Sequence, residues 1–179
     1  MQQDNRLATV AWPLAMATVA VLGTLAVACM MPFVGIAVVA AATMRRGQAL
    51  VTVIGAWAAN QLLGFTLLGY PWTADATVWG LALGGGSVAA LLIARAVLAG
   101  RARTPATMVM AFAVAFAGYE ALLFGFALVA GGVETFAPAI VAQILANDAA
   151  WAVALTLVHL LLARSAPALF AAAPRRSAA

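Results

Sequence analysis

MPFVGIAVVAAATMRRG, residues 31–47, closes the first apolar stretch of the chain, and its reading sets the number of membrane crossings. From Leu7 to Met44 the sequence carries no charge. That run is too long for one comfortable crossing of about 20 residues and just sufficient for a tight helical hairpin. Pro32 is the natural break, because its ring removes an amide donor and disfavours helical backbone at the residue before it. The reading is a first helix over about Leu7–Cys29 and a short second helix over about Phe33–Met44, ended by the basic RRG. The alternative, one long tilted helix over residues 7–44, leaves five crossings in place of six and puts the N-terminus outside.

The composition explains why crossings are the right unit. Of 179 residues, 66% are hydrophobic and 8% charged, with mean hydropathy +1.08, against roughly 25% charged residues in a soluble domain. An integral membrane protein of the cell (inner) membrane is expected, as one transmembrane domain over residues 1–165 with a basic, proline-broken cytoplasmic tail over 166–179. The net charge of +4 consists of nine basic residues, all arginine, against five acids. The arginines border the apolar runs, at Arg6, Arg45 and Arg46, at Arg95, Arg101 and Arg103, and at Arg164, Arg175 and Arg176. Alternate connections carry none, so the basic balance reports topology, with these ends cytoplasmic, and gives no reason to expect nucleic acid. The single cysteine, Cys29, makes neither an intrachain disulfide nor a thiolate metal site.

The remaining helices follow from their breaks. Helix 3 is expected over about Gln48–Leu68, GYPWTADAT (69–77) as an outer loop, and helix 4 over about Val78–Ala99. GRARTP (100–105) makes a cytoplasmic loop, helix 5 covers about Ala106–Ala130, GGVETFAP makes an outer loop, and helix 6 covers Ala139–Ala163. The fold class is therefore an all-α membrane protein of six transmembrane helices, the second short, with both termini cytoplasmic.

Depth then sorts the polar side chains. Trp57, Asn60 and Gln61 lie from the middle toward the outer end of helix 3, and Tyr119 and Glu120 slightly outward of centre in helix 5. Gln143, Asn147 and Trp151 share a face of helix 6 by i, i+4 spacing, with Asp148 beside them. An ionisable group at this depth costs several kcal/mol in lipid, so Glu120 and Asp148 should face protein, water or a ligand. The segregation of acids outward and arginines inward suggests a hollow open to the outside. Its expected solute contacts are Trp57, Asn60, Gln61, Tyr119, Glu120, Asn147, Asp148 and Trp151. Carboxylates with aromatic faces favour a cationic ligand. Each polar residue also has an interhelical reading, as a hydrogen bond between helices. Trp72 and Trp79 read as interfacial belt residues, Asp75 and Glu134 as solvated loop acids, and the lone His159 as a helix-packing donor.

Enzymatic motifs are missing. There is no GxSxG, HExxH or P-loop, and GGGS (84–87) has no lysine for phosphate. Asp148 and His159, eleven residues apart on one helix, stand about 16 Å apart and form no dyad. No cofactor, metal or enzymatic activity is expected.

This layout resembles the substrate-binding S components of energy-coupling-factor vitamin transporters, which are small, very hydrophobic six-helix proteins with a short second helix and an outward ligand pocket. Their first helix commonly carries an AxxxA pattern toward an energising transmembrane subunit; Ala11, Trp12, Pro13, Leu14 and Ala15 occupy the corresponding stretch, with Pro13 a departure from it. The resemblance implies uptake of a small vitamin-like solute from the lipid bilayer's outer side, with ATPases supplied by partner subunits. A stand-alone proton-coupled transporter, and a non-transport subunit or assembly factor of a larger membrane complex, are the alternative readings.

Overall fold

The computed structural model describes residues 10–16, 18 and 31–166, and these are helical apart from short connections. Helical backbone over residues 10–16 is labelled α1; α2 covers Phe33–Thr43, α3 Arg46–Thr66, α4 Ala74–Leu98, α5 Pro105–Ala130 and α6 Pro138–Ser165. A 3-10 turn, Val133–Phe136, lies between α5 and α6. Most of the expected first helix, Cys29, and the tail from residue 167 onward lie outside the described residues.

Local chemistry accounts for the boundaries. Pro32 precedes α2, and Pro105 and Pro138 start α5 and α6, where a missing amide costs nothing. The Thr73 hydroxyl accepts the Ala76 amide at 3.2 Å and starts α4; Thr104 does the same for Thr107 at the head of α5. The Thr73 cap makes α4 begin at Ala74, so that the last four residues of the expected loop GYPWTADAT are helix.

Four helices, α3 to α6, are long and apolar enough to cross a membrane. Their outward faces carry large apolar side chains such as Val51, Leu62, Leu81, Val109, Leu128 and Leu161. An apolar exterior of this extent is satisfied by hydrocarbon and not by water. The chain is thus a helical membrane protein.

The fifth apolar helix is different. α2 has 11 residues, nine of them buried, and no polar face, as a helix apolar on every side must be at the centre of a bundle. It packs against α3, α4, α5 and α6. At 1.5 Å per residue it is about 16 Å long, roughly half the hydrocarbon thickness.

The buried start of this short helix is without water, and its orphan amides must be met by protein. No side chain of α2 caps its N-terminus. Asp148 of α6 does so instead: its Oδ1 accepts the Gly35 amide at 2.7 Å. At the other end Arg95 donates from Nη2 to the Met44 carbonyl at 2.8 Å, and Arg103 donates from Nε to the Ala42 carbonyl at 2.7 Å. A carboxylate at the positive end and guanidinium groups at the negative end also suit the helix dipole. Gly35 permits the close crossing, since a Cβ there would lie 2.7 Å from the Asp148 carbonyl oxygen.

Candidate functional site

The short α2 leaves room at one end of the bundle, because its neighbours of 21 to 28 residues run on past its N-terminus. There a cavity of about 440 Å³ lies with Met31 and Phe33, at the start of α2, among its lining. Its walls come from α3, α4, α5, α6 and the 3-10 turn.

Asn60 and Gln61 of α3, Tyr119 and Glu120 of α5, and Asn147 of α6 all line this cavity. Five of the eight expected contacts are therefore brought to one space by three helices. Asn60 and Tyr119 are nearly fully buried, at 5% exposure each, whereas Glu120 is half-buried. Among the described residues Glu120 is the only acidic side chain of the lining. Gln61 lies against Gly80, where a Cβ would stand 2.5 Å from its Oε1, and its Nε2 is buried with no hydrogen-bond partner among the described residues.

The other three expected contacts are placed elsewhere. Trp57 points at α4: its Nε1 donates to the Gly80 carbonyl at 2.7 Å, and its ring occupies the space left by the missing side chain of Gly84. Asp148 is 2% exposed and committed to the amide end of α2. Trp151 is half-buried and packs against the core of the bundle. None of the three lines the cavity. The adjacent residues Asn147 and Asp148 diverge by about 100° around α6, which sends one to the cavity and the other to α2. Gln143, on the Asn147 face by spacing, is exposed.

Of the aromatic part of the wall the sequence reading named only Tyr119 as a contact. Tyr70, Trp79 and Phe136 line the cavity. Trp79 meets Phe126 edge-on, with centroids 4.9 Å apart, and Phe136 meets Phe124 at 5.3 Å. The signal for Trp79 was the cap: Thr73 with Asp75 in the first turn marks a helix start at Ala74, which places Trp79 past the first turn of α4 and not at its very start. Trp72, by contrast, is 78% exposed and rests on Phe65.

Compared with protein-family models, curated proteins and solved structures, the chain finds no match in any of the three. The chemistry of the cavity is therefore read from its own residues. Among the described residues no three His, Cys, Asp or Glu side chains gather as a metal set. What the cavity offers is one carboxylate, carboxamides from two helices and a set of aromatic rings in a mostly apolar enclosure. Such an arrangement can hold a small molecule by its faces and orient it by a few polar contacts.

Proposed function

We propose that this chain is a membrane transport protein that binds a small, vitamin-like, cationic solute in the cavity and mediates its uptake. Glu120 carries this reading: among the described residues it is the one carboxylate of a cavity whose other polar groups are amides, two phenols, an indole and a hydroxyl. A cation gains charge attraction from Glu120 and the ring quadrupoles of Tyr70 and Trp79, both stronger in a site drier than water. The volume of 440 Å³ falls within the roughly 300–1,000 Å³ of small-molecule sites.

Orientation follows from charge. Arg45 and Arg46 precede or begin α3, Arg95 to Arg103 surround the end of α4, and Arg164 lies in the last turn of α6. That basic end belongs in the cytoplasm, which turns the cavity end outward. Six helices, the second of half length, with both termini cytoplasmic complete the proposed topology. The likeness to S components of energy-coupling-factor transporters supports a division of labour in which partner subunits with ATPases energise release. The observation that α2 is half a membrane thick agrees with the short second helix of that family.

The experiment is mass spectrometry of small molecules retained by the purified full-length protein, with Glu120→Gln as control. A specific organic cation retained by the wild type and lost from the variant supports the reading. A protein that retains nothing and co-purifies in fixed ratio with a large complex, unaffected by Glu120→Gln, overturns it in favour of an assembly role. Uptake driven by a pH gradient in vesicles holding this chain alone would instead make Glu120 a proton carrier.

A further inference from the structure

A second and larger hollow, about 710 Å³, lies along the side of the bundle at the basic end, between α5 and α6 and over α2. Val38 of α2 lies in its wall with Phe112 of α5 and Ala149 and Val153 of α6. Small side chains on α6 make the groove, and its lips open outward: Val109 is 67% exposed and Val153 60%. It faces the surface that the bilayer covers. Along α6 it runs from Ala149 to Leu160, about 16 Å, which is the depth of one leaflet of a hydrocarbon core about 30 Å thick.

The polar groups of the lining gather toward one end. Thr43 closes α2, Arg103 precedes α5, and His159 stands near the end of α6, with its ring 4.7 Å from that of Trp12. Arg103 is exposed and uses one N–H for the Ala42 carbonyl, leaving a charged fork suited to a phosphate. Arg46 and Arg103 both lie within electrostatic range of Arg95. The four acids of the described chain are at the other end or at the middle: Asp75 and Glu134 in or beside the far loops, Glu120 at the cavity, Asp148 at the amide end of α2. Among the described residues no carboxylate lies at the mouth of the groove to offset its positive field.

We propose that this groove binds one acidic phospholipid of the cytoplasmic leaflet, an acyl chain lying along Val38, Phe112, Ala149 and Val153 and the phosphate on Arg103. An apolar slot of one-leaflet depth with a cation at its interfacial end matches an amphiphile with an anionic head. The site stands apart from the solute cavity and does not depend on what that cavity binds.

The test is native mass spectrometry of the full chain released from bilayer discs of phosphatidylcholine mixed with phosphatidylglycerol, on wild type, Arg103→Gln and Ala149→Phe. A basic residue near a membrane surface is worth about fivefold in affinity for an acidic lipid. One phosphatidylglycerol retained about fivefold over phosphatidylcholine is expected for the wild type, falling to parity in Arg103→Gln. Ala149→Phe, which fills the groove and leaves Arg103 in place, should release the lipid of either head group. Since Arg103→Gln also removes a cap from α2, Ala149→Phe provides the independent reading. Equal retention of the two lipids by wild type overturns the proposal, as does undiminished retention by Ala149→Phe. A photo-crosslinker at Val153 that captures protein, whether this chain, a second copy or a partner, overturns it as well.

Discussion

The Asp148 carboxylate accepts the Gly35 amide at 2.7 Å, tying the middle of α6 to the first turn of α2 across 113 residues of chain. This contact accounts for a carboxyl at membrane depth without a ligand. Removing it as Asp148→Ala leaves buried amides unpaired, at about 1–3 kcal/mol. The melting temperature in detergent should fall clearly for Asp148→Ala and less for Asp148→Asn, whose carbonyl still accepts. Equal stability of the alanine variant and wild type would remove the capping role.

Gly35→Ala should be destabilising for a different reason. The added methyl would meet backbone, the Asp148 carbonyl oxygen at 2.7 Å and the Ala152 nitrogen at 3.2 Å, so neither side can turn away. Overpacking of this kind costs about 1–3 kcal/mol. Because the methyl also parts Asp148 from its amide, the Gly35→Ala, Asp148→Ala double variant should lose less than the sum of the two singles. Thermal unfolding of the four proteins checks this.

Glu120→Gln changes a half-buried residue that makes no hydrogen bond or ion pair among the described residues. Its stability should stay within about 0.5 kcal/mol of wild type. Affinity for the retained cation should fall by about tenfold or more, the loss of roughly 1.4 kcal/mol. Calorimetric titration with the solute, beside a melting curve, separates the two quantities.

Trp57→Phe gives the opposite pattern. It removes the hydrogen bond to the Gly80 carbonyl and leaves a ring against Gly84. A loss of about 1 kcal/mol in stability is expected with ligand affinity nearly unchanged. A large loss of affinity with unchanged stability would return Trp57 to the ligand wall.

Gly80→Ala should act on the cavity. Its methyl would lie 2.5 Å from Gln61 Oε1, the far end of a flexible side chain, which has to swing aside. Solute binding should weaken severalfold while the melting temperature drops less than for Gly35→Ala, where the obstacle is backbone.

The sequence by itself determined the solvent, the helical class and most helix ends. Composition alone requires hydrocarbon around this chain, and prolines at 32, 105 and 138 stand where α2, α5 and α6 begin. Helical period also put Trp57 and Gln61 on one side of α3, and Gln143, Asn147 and Trp151 on one face of α6 with Asp148 beside them. What lies opposite those sides was decided only by tertiary structure. Trp57 went to α4 because Gly84 leaves a ring-sized gap there, and Asp148 went to α2 because Pro32 heads a buried helix with no cap of its own. Periodicity fixes angles within one helix, whereas a polar group's partner depends on which backbone packing brings to that angle.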